Sequence, residues 1–147
     1  MKLRTTLTSA SALALGVGLM AATPALADGG VVKPTSDQKA AVIKAWSTAD
    51  GGAPWAGPQA CIKVRLAASN NNIAGLSSNV AKKPNKCAQW GFDGTAFLYG
   101  HKTKKWFLLS EGSDMSPAQC KATASLIGDA WGDLVDFAAG MGCENID

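Results

Sequence analysis

Two apolar runs separated by a short polar break stand out in the pattern of hydrophobic and polar positions. The runs are Ala96–Tyr99 and Trp106–Leu109, and the break lies at residues 102–105. This spacing is typical of an antiparallel β-hairpin with a connecting loop of about four residues. Because alternate side chains of a strand share a face, the second strand is expected to present a common face made of Trp106, Leu108 and Ser110.

Two further strands are predicted upstream of this hairpin. Residues 60–69 alternate cleanly, with Lys63 and Arg65 on the face opposite three aliphatic side chains, Ile62, Val64 and Leu66. Asn70–Asn72 is expected to form a turn because Asn tolerates a positive φ. Residues 73–80 form a weaker second strand. The hairpin and these strands together predict an antiparallel sheet of about four strands.

Helical signals precede and follow the predicted strands in the sequence. Thr35 and Gln38 form a capping box, which predicts a helix from about Ser36 to Ala49. Residues 28–34 before it are expected to be a loosely ordered leader. We interpret Trp46 as a core anchor of this helix.

A second helical pattern begins at Ser116, which with Gln119 repeats the capping box. Gly128 and Gly132 interrupt this pattern, and each disfavours a helix interior by about 1 kcal/mol relative to Ala. The segment is therefore either one kinked helix or two helices. The fold class that follows is α+β: an N-terminal helix, an antiparallel sheet of about four strands with a central hairpin, and a C-terminal helical segment.

The first 27 residues have the pattern of a secretory signal peptide. Lys2 and Arg4 precede an apolar run too short to span a bilayer, and Ala25 to Ala27 supplies the small residues of a cleavage site. We expect cleavage after Ala27 and secretion of residues 28–147 as a single domain. No membrane association is expected after the signal is removed.

All four cysteines fall in the predicted mature part. An even number of cysteines in an oxidising compartment implies two disulfides, for which three pairings exist. We favour Cys61–Cys87 and Cys120–Cys143, since each closes a loop of about 25 residues that contributes roughly 3 kcal/mol in the chain-entropy model. A metal site or a catalytic cysteine is disfavoured because the chain has no CxxC motif and only one His. No metal and no cofactor are expected.

Charge is nearly balanced overall but uneven along the chain. The formal charge is +3, and removing Lys2 and Arg4 leaves +1, which does not favour a nucleic-acid partner. Residues 82–105 carry six Lys against one Asp, whereas residues 111–147 carry seven acidic residues against one Lys. This asymmetry indicates either a solvated dipolar surface or a basic patch that faces an acidic partner.

Trp55 lies in the loop Gly51–Pro58 and belongs to no hydrophobic period. It either covers an edge of the core or contacts a partner directly. Trp90 and Phe92, in the connector after Cys87, are expected to cover the sheet.

The candidate binding residues are Trp55, Lys82, Lys83, Lys86, Lys102, Lys104 and Lys105. We interpret the chain as a small secreted binding protein, non-catalytic, whose partner is a protein or a cell-wall glycan. The sequence does not indicate the oligomeric state.

Two other functional classes stay open. A secreted inhibitor of a protease or glycosidase would present a rigid exposed loop, for which residues 51–58 or 81–87 could serve. A small hydrolase or ribonuclease would use His101 as its acid–base group with Glu111 and Arg65 beside it. No nucleophile elbow, HExxH, P-loop or dinucleotide-binding motif is present. Asp129, Asp133 and Asp136 occur at near-helical spacing. We interpret them as a solvent-exposed helix face in preference to a Ca²⁺ site.

One set of short motifs resembles a known group of proteins. The run Cys61–Asn70, then Cys87, Phe92–Gly94, Lys105-Trp106, Glu111–Ser113 and Cys120, is similar to small secreted four-cysteine proteins of actinobacteria. The resemblance spans about 60 residues, and the group has no established activity, so it implies no catalytic residue. The chain departs from that pattern in its long Cys120–Cys143 spacing.

Overall fold

The computed structural model describes residues 30–80, 84–100 and 105–144. Five strands in these ranges form one antiparallel sheet in which each strand pairs with its neighbour in sequence. The strands are β1 Val31–Val32, β2 Ile62–Ala67, β3 Ile73–Ser78, β4 Thr95–Gly100 and β5 Trp106–Gly112. The sheet is therefore a meander with β5 at one edge.

Five helices of very different length accompany the sheet. They are α1 Ser36–Ser47, α2 Pro84–Cys87, α3 Pro117–Ile127, α4 Ala130–Asp133 and α5 Val135–Ala139. α1 covers one face of the sheet, and α3, α4 and α5 cover the other. None of the helices within the described ranges is long and apolar enough to cross a membrane.

The face under α1 is filled by aliphatic side chains. Val42 and Ile43 of α1 are buried against the inward-facing positions of the three central strands, namely Ile62, Val64, Leu66, Ala74, Leu76, Ala96 and Leu98. Burying one such aliphatic side chain contributes roughly 1.5–3 kcal/mol relative to leaving it exposed. The alternation of residues 62–66 predicts this face correctly.

The opposite face packs around the aromatic ring of Phe137. A Cβ built on Gly75 of β3 would lie 2.6 Å from Cγ of that ring, so the glycine lets α5 approach the sheet closely. Phe97, Leu134 and Met141 are fully or almost fully buried in the same cluster. Because both faces carry helices, the sheet forms the middle layer of three.

The α+β class, the antiparallel sheet and both disulfides are confirmed, whereas the strand count and the N-terminal helix differ from the expectation. The first element of the described ranges is β1, which pairs Val31 with Ala67, in a segment expected to be a loose leader. Two residues are too few to show alternation, and Pro34, two positions beyond the strand, has no N–H with which to extend the pairing. α1 ends at Ser47, two residues before the predicted Ala49, and a 3₁₀ turn follows it.

A β-bulge between β4 and β5 corrects the predicted faces of the hairpin. Phe97 pairs with Ser110 and Leu98 with Leu108, which leaves Leu109 as the extra residue. Trp106 and Leu108 consequently face α1. Ser110 faces the other layer, where its hydroxyl lies 2.9 Å from that of Thr123.

The C-terminal segment breaks at Gly128 as predicted, but Gly132 lies inside a helix and the second break falls at Leu134, which gives three helices where one or two were expected. Gly128 follows α3 with φ of 55°, a left-handed conformation that favours glycine. The remaining turns form α4 and α5, separated at Leu134. Both predicted capping boxes are present, at Thr35 with Gln38 and at Ser116 with Gln119.

Both favoured disulfides are present. Cys61–Cys87 joins the beginning of β2 to the end of α2, with 5.3 Å between the two Cα atoms. Cys120–Cys143 joins α3 to the chain beyond α5 and secures the C-terminal helical layer.

Candidate functional site

Four aromatic rings meet at one end of the sheet, on the face that α1 covers. This aromatic surface consists of Trp46, Trp55, Trp90 and Phe92, and each ring is half-buried. Ring centroids are separated by 4.7 Å for Trp46 and Phe92, 5.6 Å for Trp55 and Trp90, 5.9 Å for Trp46 and Trp55, and 6.3 Å for Trp55 and Phe92. These distances lie in the range over which aromatic pairs attract one another.

Local contacts hold Trp55 in this arrangement. Its backbone N–H donates to Oγ of Ser47 across 3.0 Å, which fixes the loop against the last turn of α1. Gly57 lies between two indoles: a Cβ at that position would be 2.5 Å from Cε3 of Trp90 and 2.6 Å from Cζ2 of Trp55. Only glycine leaves room for the two rings on either side of it.

The Cys61–Cys87 disulfide connects the two halves of the aromatic surface. Trp55 precedes Cys61 by six residues, and Trp90 follows Cys87 by three. Asn79 supports the same region, since its side-chain amide donates to the carbonyl of Ala60 across 3.0 Å. The bridge therefore anchors both Trp-bearing segments to the start of β2.

Hydrogen bonding within the aromatic surface is incomplete. Nε1 of Trp46 donates to Oε2 of Glu111 on β5 across 3.1 Å. Nε1 of Trp55 is buried and has no hydrogen-bond partner among the residues that the structure describes. A buried donor left unpaired costs about 1–3 kcal/mol, so this indole N–H lowers the stability of the surface.

The four rings do not form a flat platform. The interplanar angles of the contacting pairs are 33°, 49°, 58° and 76°. A row of coplanar rings would offer an extended surface to the faces of successive sugar units. The tilted packing instead produces a compact apolar patch, which resembles the clustered aromatic anchors of protein–protein interfaces.

The described lysines of the predicted contact surface lie at opposite ends of the sheet. Lys86 is exposed beside Cys87, at the end where the aromatic surface lies. Lys105 is exposed just before Trp106, whereas Glu111 is at the far end of β5, a strand about 20 Å long. The structure therefore places Lys86 at the same end of the sheet as Trp55 and Lys105 at the other end. Lys82, Lys83, Lys102 and Lys104 lie outside the described residues.

Two of the three residues proposed for a hydrolase, Arg65 and Glu111, lie apart in the structure. Register places Glu111 opposite Ala96, on the face that α1 covers. Arg65 pairs with Gly75 and faces the layer of α4 and α5. These two side chains lie on opposite faces of the sheet, and the strands that carry them, β2 and β5, are separated by β3 and β4. His101 lies outside the described residues.

The acidic residues of the C-terminal segment have separate structural partners. Oδ2 of Asp133 accepts a hydrogen bond of 2.7 Å from the backbone N–H of Ser69. Hydrogen bonds from the side chain and backbone of Ser69 and from the backbone of Ala68 lower the pKa of Asp133, against a smaller opposing effect of burial. Asp136 lies 3.8 Å from Nζ of Lys63. No group of three or more His, Cys, Asp or Glu that could hold a metal ion occurs in ranges 30–80, 84–100 and 105–144.

Sequence reasoning selected Trp55 but assigned its neighbours to the core alone. Trp46 and Phe92 do pack on the core, whereas Trp90 packs on Trp55 and lies beside Gly57. The favoured Cys61–Cys87 pairing was the available signal. It brings the segment before Cys61 next to the segment after Cys87, and each carries a tryptophan.

Comparison of the chain with protein-family models, curated proteins and solved structures found no match. The resemblance to small secreted four-cysteine proteins of actinobacteria therefore stays a prediction, and the aromatic surface must be interpreted from its own geometry.

Proposed function

We propose that this chain is an exported, non-catalytic binding protein whose aromatic surface, together with Lys86, contacts a partner protein. The signal-peptide pattern and the two disulfides support export, since disulfides persist in oxidising compartments. The predicted mature protein spans residues 28–147.

The observation that carries the proposal is the half-buried cluster of three tryptophans and one phenylalanine, held by a disulfide and a glycine. Val42, Ile43 and the strand residues already fill the core on this face, with Trp46, Trp55 and Phe92 packed at its margin. Trp90 packs on Trp55 instead of on that core. Large rigid aromatic side chains at a surface supply most of the binding energy of many protein interfaces.

A protein partner fits this surface better than a glycan chain does. The tilted rings form a compact patch that a pocket on a folded partner could enclose, whereas a polysaccharide would need a longer flat row. Lys86 supplies one positive charge at the margin, and an acidic rim on the partner would complement it. A cell-wall glycan remains the competing outcome of the test below.

The test is an affinity capture with oxidised residues 28–147 as bait, applied to the supernatant and envelope of the producing culture. Three baits are compared: the unaltered protein, Trp90→Ala and Leu126→Ala. Leu126 is 61% exposed on α3, in the other helical layer, so its variant controls for loss of an exposed apolar side chain. Thermal unfolding of each bait confirms that it is folded.

The proposal predicts a saturable, protease-sensitive partner that the unaltered protein and Leu126→Ala retain equally. Trp90→Ala should weaken its binding by about tenfold or more, because truncating an interface anchor costs upwards of 1.4 kcal/mol. If glycan hydrolysis abolishes binding of the partner and protease treatment does not, the partner is a glycan and not a protein. Equal retention of the partner by all three baits would show that the aromatic surface does not bind it.

A further inference from the structure

A concave site lies on the other face of the sheet, away from the aromatic surface. It is a cleft of about 160 Å³ between the β1–β2 edge and the helices α4 and α5. Two cationic side chains, Lys63 and Arg65, project into it from β2, and Asp133 and Asp136 approach from the helices. Apolar side chains, among them Val31 and Phe137, complete the walls.

The charged groups around the cleft differ in how far they are paired. Asp133 is held by backbone N–H donation from Ser69 at 2.7 Å. Lys63 lies 3.8 Å from Oδ2 of Asp136 and 5.0 Å from the centre of the Phe137 ring, so it already has an anionic and an aromatic neighbour. Both carboxylates and the lysine of the cleft therefore have partners.

Arg65 is the exception. Nη1 of its guanidinium donates to the carbonyl of Val64 across 3.0 Å, and the group makes no other hydrogen bond and no ion pair within the described part of the chain. The side chain is half-buried. A guanidinium has five N–H donors in a planar fork, and most of these donors have no protein acceptor here.

The fold explains why Arg65 has this position. The carbonyl of Cys61 accepts from Asn79 on the β3 side, and backbone groups alternate along an antiparallel strand, so the carbonyl of Val64 points to the outer edge. β1 pairs only with Leu66 and Ala67 and does not reach Val64. The guanidinium satisfies this edge carbonyl and is thereby fixed at the mouth of the cleft.

We infer that this cleft binds a carboxylate carried on a short apolar group, through a bidentate contact with Arg65. Planar carboxylates match the guanidinium fork in geometry and charge. The apolar group would lie against Val135, which lines the cleft and is 54% exposed, whereas Val31 and Phe137 are buried in the wall behind it. The cleft is smaller than the roughly 300–1,000 Å³ of sites for drug-sized ligands, so it admits a small acid or the last residue of a peptide chain.

The test is an NMR titration of ¹⁵N-labelled residues 28–147 with N-acetyl-leucine and, separately, with N-acetyl-leucinamide, which lacks the carboxylate. A tetrapeptide ending in leucine, as free acid and as amide, distinguishes a peptide C-terminus from a free small acid. Inorganic phosphate tests for a general anion site. The variants are Arg65→Gln, Arg65→Lys and the control Lys44→Gln, which removes an exposed charge from α1 on the opposite face.

The inference predicts that the acid ligands shift the backbone N–H signals of residues 31, 64–66 and 133–137. The corresponding amide ligands, N-acetyl-leucinamide and the peptide amide, should bind about tenfold more weakly or not at all. Arg65→Gln should lose about tenfold in affinity. Arg65→Lys should fall below the unaltered protein because it lacks the fork, which keeps the test valid if Arg65→Gln fails to fold. Lys44→Gln should bind normally.

Several results would overturn this inference. They are equal binding of acid and amide, full affinity in Arg65→Lys, stronger binding of phosphate than of the acids, shifts outside the cleft, and no shift up to about 20 mM ligand. None of these results bears on the aromatic surface, because the two sites lie on opposite faces of the sheet.

Discussion

The indole N–H of Trp46 donates a hydrogen bond of 3.1 Å to Oε2 of Glu111, a residue 65 positions later in the sequence. The bond joins the last turn of α1 to the edge strand β5. It also orients the Trp46 ring against Phe92, at 4.7 Å between ring centroids. One carboxylate thus links the helix, the sheet edge and the aromatic surface.

Removing that carboxylate should weaken the fold modestly. We expect Glu111→Ala to lower the free energy of unfolding by about 1 kcal/mol, since a hydrogen bond to a charged acceptor is lost at a partly solvated site. Glu111→Gln keeps an acceptor oxygen and should lose less than half as much. Urea unfolding measures both variants, and equal stability of Glu111→Ala and the unaltered protein would contradict the role assigned to this bond.

Two glycine-to-alanine substitutions should change stability in opposite directions. Gly57→Ala inserts a methyl group 2.5 Å from the Trp90 ring and should destabilise the protein by about 1–3 kcal/mol. Gly132→Ala meets nothing within 4 Å and lies in α4, so it should stabilise by up to about 1 kcal/mol. Thermal unfolding compares the two. A neutral Gly57→Ala would mean that the rings do not require this glycine.

Asp133 should make stability sensitive to acid. Its folded-state pKa is lowered by hydrogen bonds from Ser69 and Ala68, so the ionised carboxylate stabilises the fold above the unfolded pKa of about 3.9. That contribution is lost as the pH falls through the lower folded pKa. Asp133→Asn should therefore be less stable than the unaltered protein at pH 7.

The same difference should be smaller at pH 2 than at pH 7, because the unfolded state takes up a proton once the pH falls below its pKa of about 3.9. Urea unfolding at the two pH values measures it. A stability difference of the same size at both would show that the charge of Asp133 contributes nothing.

Each disulfide should stabilise the fold by a similar amount. The two bridges span 26 and 23 residues, so replacing either pair by Ala should lower the free energy of unfolding by roughly 2–4 kcal/mol. Only the Cys61→Ala/Cys87→Ala variant releases the segments that carry Trp55 and Trp90. It should show the larger red shift of native tryptophan emission, and a larger shift in the Cys120→Ala/Cys143→Ala variant would contradict this assignment.

Local signals account for the parts of the fold that were predicted correctly. Alternation at Ile62, Val64 and Leu66 identifies the strand face that α1 buries, and the capping residues Thr35 and Ser116 mark the starts of two helices. The spacing of the cysteines favoured the pairing that the structure contains. Each of these features depends on residues close together in sequence.

Features that depend on distant residues were missed. β1 is defined by its pairing with the end of β2, and the bulge at Leu109 is defined by the register between β4 and β5. The partnership of Trp46 with Glu111 spans most of the domain. No local pattern indicates such contacts, so the opposite placement of Lys86 and Lys105 emerges only from the structure. For the aromatic surface, the Cys61–Cys87 pairing was the one signal that brings Trp55 close to Trp90.

The most direct test of the proposed contact surface is the affinity of the captured partner for Lys86→Glu and Lys105→Glu. Both side chains are exposed, so neither charge reversal should disturb the core, and the two lie at opposite ends of the sheet. The proposal predicts that Lys86→Glu binds the partner at least about fivefold more weakly, while Lys105→Glu keeps the affinity of the unaltered protein. Loss of affinity in Lys105→Glu with none in Lys86→Glu would contradict it and move the contact surface to the other end of the sheet.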